Sequence, residues 1–209
     1  MKILSFKHNK DAHIYICGVD GSGKKSFASV FFADKSNYKQ LSLFKLPPKV
    51  KKLLVIMVLD GVHLQNLAEE EIFFKISGLC KKYRTLEISV LFVLNKVDLI
   101  YNRRQNPVLV DEVYTSYKNF FAQIACKEIK FIAFSYLATK IFQSLLSREI
   151  DDEDCDDAKT MLAKVGKHFP KKYNPREMKK YLNSHKNVFR ILSGETLIAR
   201  FIERWKEEQ

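Results

Sequence analysis

Short apolar runs alternate with amphipathic stretches through the first 150 residues of the chain. The segment "HIYICG" (13–18) reads as a strand, and "KKSFASVFF" (24–32) carries helical spacing behind a cluster of glycines. "QLSLFKL" (40–46) and "KLLVIMVLD" (52–60) read as two strands, divided by "PPKVK", where Pro47 and Pro48 forbid continuation. The second run is apolar at almost every position, as suits a strand covered on both faces in a mostly parallel sheet. Residues 64–83 are expected to form a helix, with Leu64, Leu67, Ile72 and Ile76 among its inward positions. "ISVLFVLN" (88–95) is the next buried strand, and 107–125 holds Val110, Val113, Tyr117, Phe121 and Ala125 close to a 3.6 period. "IKFIAFS" (129–135) reads as a strand and "TKIFQSLLSREI" (139–150) as a helix. This alternation predicts a doubly wound α/β domain over 1–150.

The pattern then changes. "DDEDCDD" (151–157) carries six acids and no base, and reads as an acidic linker. Residues 158–209 are expected to be a basic helical C-terminal extension. Within it, "NPREMKKYL" has Asn174 at N-cap, Pro175 at N1 and Glu177 at N3, a combination that satisfies early backbone donors. A last helix over 195–208 places Leu197, Ile198, Phe201, Ile202 and Trp205 on one side. That side either packs on the protein's own domain or recognises a partner protein. In the second case Phe201 and Trp205, one turn apart, are the expected anchors, and the surrounding positive charge steers an acidic partner.

Composition narrows the class. Of 209 residues 46% are apolar, with seven glycines and five prolines, which excludes disorder or a collagen-like repeat as the overall class. The formal net charge is +12. Residues 1–150 hold 23 Lys/Arg against 13 Asp/Glu, and 158–209 hold 13 against five. No basic stripe is interleaved with stacking aromatics, so a solvated basic face is expected rather than a nucleic-acid surface. Cys17, Cys80, Cys126 and Cys155 form no CxxC and read as reduced thiols of an intracellular protein, cytoplasmic or nuclear. The opening "MKILSFKHNK" lacks the apolar core of a signal peptide, and no apolar stretch has transmembrane length.

Candidate chemistry starts at Gly18-Val19-Asp20-Gly21-Ser22-Gly23-Lys24, four residues between the outer glycines and a lysine behind them. Between a strand and a helix, such a loop offers backbone N–H groups and a helix N-terminus to phosphate oxygens, with the lysine as a point charge. The motif then requires Ser or Thr, to place a hydroxyl on magnesium. Here Lys25 follows, with Ser26 behind it, an offset of about 100° around a helix. A second element is Asn95-Lys96-Val97-Asp98 at the end of a buried strand. A carboxylate there can accept two hydrogen bonds from the N1 and N2 edge of guanine, a lysine stem can cover the ring, and Asn95 can tie the two loops together.

Together these residues resemble the small GTPases of the Ras, Arf and signal-recognition-particle-receptor β type, over roughly residues 12–150. The resemblance implies a mostly parallel sheet with helices on both faces and a guanine nucleotide, GTP or GDP, as cofactor. Gly18, Asp20, Gly21, Ser22, Gly23, Lys24, Lys25 and Ser26 then face the phosphates. Asn95, Lys96 and Asp98 face the base, with Ser135 as the counterpart of the last base-contacting loop, where Tyr136 replaces the usual alanine. The family's switch threonine and DxxG motif do not fit here, because about 15 residues separate Lys24 from "QLSLFKL" and "FKLPPK" follows it. No glutamine or histidine is expected beside the loop to orient water. Lys25 speaks against magnesium, and Asp60 or Ser26 are the remaining candidate ligands. Asp60 ends an apolar strand, a metal-anchoring position in many phosphate-loop enzymes, and equally a helix-capping one. The layout of two strands and a short proline connection is also similar to the switchless centromere-protein-M type.

The expected function is therefore that of a switchless scaffold acting through protein–protein contacts, with retained guanine-nucleotide binding. Two enzymatic readings stay open: slow or partner-assisted GTP hydrolysis, and an Asp60-dependent phosphotransferase.

Overall fold

The computed structural model describes residues 3–8, 11–32, 38–41, 44, 46, 49–62, 67–100, 112–115, 117, 120, 122–147, 149–167 and 174–208. A six-stranded sheet holds β1 (Ile3–Lys7), β2 (Ala12–Cys17), β3 (Tyr38–Leu41), β4 (Lys52–Asp60), β5 (Glu87–Asn95) and β6 (Glu128–Ala133) in the order β3-β1-β2-β4-β5-β6. Strands β2, β4, β5 and β6 run parallel, with Cys17 opposite Met57, Asp60 opposite Asn95 and Leu94 opposite Ala133. Strand β1 is antiparallel to both β2 and β3. The sequence pattern did not mark β1, whose five residues are too few for a period. Its Ile3, Leu4 and Phe6 are nonetheless buried, because the sheet is covered on both faces. Strand β3 ends at Leu41, before the expected 46, and Pro47 and Pro48 lie outside the described residues.

On one face, Tyr15, Val55, Met57 and Phe92 pack against Ile72, Phe73 and Ile76 of helix α2 (Leu67–Lys82) and against Tyr117. Leu67, expected inward, is 81% exposed at the start of that helix, and Leu64 lies outside the described residues. In the expected 107–125 helix, residues 112–115 are helical, and Val113 and Tyr117 are buried as the period requires. Ala125 is exposed beyond the helical residues and Ile124 is buried in its place, while Val110 and Phe121 fall outside the description.

The other face is covered by helix α1 (Lys24–Phe31) and by the C-terminal helix. Four-residue α3 (Val97–Ile100) follows β5, and α4 (Tyr136–Ser147) follows β6. Then come α5 (Asp152–Lys164), α6 (Pro175–Ser184), α7 (Lys186–Ser193) and α8 (Glu195–Glu207). The acidic run 151–157 is not a linker. Asp151 is the N-cap of α5, accepting from the Asp154 amide at 2.7 Å, and the acids behind it sit at the helix end that favours negative charge. Asp154 faces inward, 2.8 Å from the Lys140 ammonium and accepting from Ser144 Oγ at 2.7 Å. Asn174 and Glu177 form the expected capping box at the start of α6. Helices α4–α7 share a core of Ile141, Leu145, Leu162, Leu182 and Phe189.

Helix α8 returns to the sheet. Ile198, Phe201, Ile202 and Trp205 pack on Ile14, Leu54, Ile56 and Val93, so the expectation that Phe201 and Trp205 anchor a partner is overturned. The reason is geometric: β4 is buried at all nine positions, and the face away from α2 needs a cover wider than α1. Leu197, expected on the same side, is 59% exposed. Buried Lys52 completes the junction. Its ammonium donates to the Trp205 and Glu208 carbonyls at the end of α8 and lies 4.9 Å from the Trp205 ring centre, satisfying orphan acceptors where a cation is favoured. No described helix is long and apolar enough to cross a membrane.

Two stability effects are expected. Trp205→Ala should destabilise the chain by about 3–5 kcal/mol in denaturant unfolding, as removal of a large buried aromatic does. For Asp154, burial pushes the carboxyl upward, but the Lys140 and Ser144 bonds and the Lys140 charge outweigh it and hold the group below the usual range. A depressed folded-state value stabilises above the unfolded value, near 4, and that contribution is lost as pH falls through the folded one. Asp154→Asn should therefore unfold more readily than the unaltered chain near neutral pH, with the difference shrinking in thermal melts below about pH 4.

Candidate functional site

The parallel strands end in register, and their C-terminal ends bring the two predicted loops side by side. The first loop, residues 18–23, joins β2 to α1. Its backbone requires glycine at two points. Gly18 has φ 151°, and a Cβ there would collide with the Val58 carbonyl oxygen; Gly23 has φ 87°, and a Cβ would strike the Asn95 amide. Gly23, the N-cap of α1, offers no side chain to the first-turn amides, and the first turn holds no acid. The earliest helical bond runs from Phe27 N to Gly23 O at 2.8 Å.

Lys24 turns back over the loop. Its Nζ donates to Gly18 O at 2.8 Å and to Val19 O, with Asp20 Oδ1 at 3.7 Å. The Ser22 hydroxyl is fully buried and has no hydrogen-bond partner among the described residues. A cleft of about 310 Å³ opens here, lined by Asp20, Gly21, Gly23, Lys24, Lys25 and Ser26, with Leu4 of β1 and Gln40 of β3 opposite. Ser26 lines the cleft together with the lysines. One expectation changes at this point: a glutamine does stand beside the loop. Gln40 escaped the sequence reading because antiparallel β1, which lies between the loop strand and β3, was itself missed. Cys17, just before the loop, is fully buried and its thiol is pushed up to about 12 by that burial, which makes it a core residue and no nucleophile.

The second loop is tied to the first by Asn95 Nδ2, which donates to Ser22 O at 2.8 Å. Beyond it Lys96 takes a positive φ of 62° and places its ammonium 2.8 Å from Asp60 Oδ2. Asp98 is 6% exposed and accepts from Ser135 Oγ at 2.6 Å. Ser135 Oγ in turn accepts from Ala138 N at 3.0 Å, at the start of α4. The structure thus brings Asn95, Lys96, Asp98 and Ser135 to one place, beside residues 18–26. Lys164 of α5 was not anticipated there; it donates to the Asp98 carbonyl at 3.0 Å.

Each carboxylate oxygen of Asp60 carries a hydrogen bond. Besides Lys96, its Oδ1 accepts from Val62 N at 3.0 Å, the turn-capping use of the residue. Its own amide donates to Glu69 Oε1 at 3.2 Å, and Tyr117 OH donates to Glu69 Oε2 at 2.6 Å. Glu69 is fully buried, and its spacing to Ile72, Phe73 and Ile76 was the available signal for an inward carboxylate. Among the described residues no group of three or more His, Cys, Asp or Glu is placed to hold a metal ion.

No known protein-family profile matches this chain, and no curated protein matches it. Four chains of solved structures match by fold. One, described as the crystal structure of SsGBP mutation variant G235S, is 18% identical and superposes with a TM-score of 0.37 over 71% of this chain. The matched region spans 57% of that protein.

The bond between the loops should be measurable. Asn95→Ala removes the donor to Ser22 O and leaves that carbonyl buried, at a cost of about 1–3 kcal/mol. Hydrogen exchange should rise selectively at the amides of residues 20–23, while the sheet amides stay protected.

Proposed function

We propose that the chain binds a guanine nucleotide, GTP or GDP, across these two loops and acts as a scaffold or assembly component, with hydrolysis subordinate or lost. The observation that supports the reading is the Asn95–Ser22 bond, which holds the end of β5 beside residues 18–23. Residues Gly18, Asp20, Gly21, Ser22, Gly23, Lys24, Lys25 and Ser26 would receive the phosphates through backbone N–H groups and ammonium charge. Asn95, Lys96, Asp98 and Ser135 would receive the base. The first turn of α1, with neither a side-chain cap nor an acid, fits an anion at this point. Ser135 bonded to Asp98 fixes the orientation of the carboxylate, as selective reading of a donor edge requires.

Magnesium does not fit as well. Lys25 stands where the motif needs a hydroxyl, and both Asp60 oxygens are engaged. The same engagement removes the support for a phosphotransferase built on Asp60. Slow or partner-assisted GTP hydrolysis retains one observation in its favour, Gln40 on the cleft wall. The assembly role rests on the shortness of the chain between Lys24 and β3, which leaves no length for the family's switch segment, and no longer on Phe201 and Trp205.

Two measurements test the proposal. Denaturing the purified chain and separating the supernatant by anion exchange should release GDP or GTP at near one-to-one; release of neither directs the test to added nucleotide. In calorimetry the chain should bind GDP in preference to ADP, and Asp98→Ala should abolish that preference by roughly 1.5–3 kcal/mol. Equal binding of GDP and ADP by the unaltered chain would remove the guanine reading.

A further inference from the structure

The start of α1 is electrostatically unusual. A helix N-terminus carries partial positive charge and favours anions, yet the first turn here holds two adjacent lysines, no acid and no side-chain cap. Like charges gathered at that end oppose folding unless something negative joins them. The two lysines also differ in circumstance. Lys24 is buried and occupied within the loop, bonded to Gly18 O and Val19 O. Lys25 is exposed, lines the cleft, and has no hydrogen-bond or ion-pair partner among the described residues. A cleft of about 310 Å³ opens beside this helix end, with both lysines in its wall.

The carboxylates near the cleft are unsuited to a divalent cation. Asp60 is taken by Lys96 and the Val62 amide, and Asp20 leans toward Lys24. A cation brought into the cleft would meet the positive end of α1 and two ammoniums, with Lys25 in place of the hydroxyl that would bind it. We propose that this loop takes a nucleoside diphosphate without a divalent cation, Lys25 supplying the positive charge that a metal would otherwise bring to the phosphates. The inference rests on the nucleotide reading above and deepens it. A lysine is a compact, flexible point charge, suited to meeting phosphate oxygens that have no fixed metal geometry. The site then needs no metal ligand from a switch segment, in keeping with a chain too short to hold one.

The test is calorimetric titration of the full chain with GDP, once with millimolar magnesium and once with excess EDTA. The two dissociation constants should agree within about twofold. Lys25→Ala should weaken GDP by about tenfold or more under both conditions, and Lys25→Arg, which keeps the charge, should retain most of the affinity. Because Lys25 is exposed, Lys25→Arg should melt with the unaltered chain, and Lys25→Ala, which relieves like charge at the helix end, should melt no earlier. A loss of about tenfold in EDTA for the unaltered chain, or unchanged binding by Lys25→Ala, overturns the metal-free site while leaving nucleotide binding in place. No GDP binding in either condition overturns the nucleotide reading and this inference together.

Discussion

Burial of β4 on both faces is the constraint from which the rest follows. A strand with nine successive buried residues needs cover above and below the sheet. Helix α2 and Tyr117 supply it on one side. On the other, α1 is eight residues long and leaves much of the apolar surface to be closed by α8, which arrives from the far end of the chain. The last helix is therefore part of the domain's core, and Lys52 secures it through the helix's terminal carbonyls. Helices α5–α7 in turn pack on α4, which makes them a covering layer that ends where α8 can reach the sheet.

The same constraint builds the candidate site. Parallel strands that share a register end together, and the loops that follow them are forced into proximity at that edge. Two glycines permit the closest approaches, Gly18 to the β4 backbone and Gly23 to Asn95. Side-chain bonds then divide the work of holding this edge. Asn95 links the first loop to the second, Ser135 links the second to the start of α4, and Glu69 links β4 to Tyr117. The carboxylates at the strand ends are consequently employed: Asp60 by Lys96 and a turn amide, Asp98 by Ser135. Exposed Lys25 is left lining the cleft, which sets the sign of ligand it can favour.

On the proposed reading, Lys25 at the helix position where a hydroxyl would hold magnesium alters the chemistry of the loop and leaves its shape. The loop has its positive-φ glycines and its place between β2 and α1, while Asp60 is bonded to Lys96 and the Val62 amide. Shape and reactivity are separable in such a loop. Backbone geometry depends on glycine and on strand register, whereas hydrolysis depends on a few side chains whose replacement costs the fold little.

What the sequence determined by itself was local and periodic. The continuous apolar run of β4 and β5, the helical spacing of α2 around Ile72 and Ile76, the Asn174–Glu177 capping box and the glycine loop with its flanking strand and helix were all legible, because each is encoded within a short window. Strand β1 was not, since five residues acquire a period only when a neighbour pairs with them. Gln40 was hidden for the same reason, reaching the cleft through β1. The acidic run read as a linker because its composition suits solvent, but a helix N-terminus stabilises the same charges, and only the packing of Asp154 on Lys140 reveals which applies. Trp205 and Phe201 lie on one stripe in either reading. Periodicity shows that a stripe exists, and whether it meets a partner or the protein's own sheet depends on how much of that sheet the other helices leave uncovered, a quantity fixed only when the whole chain is folded.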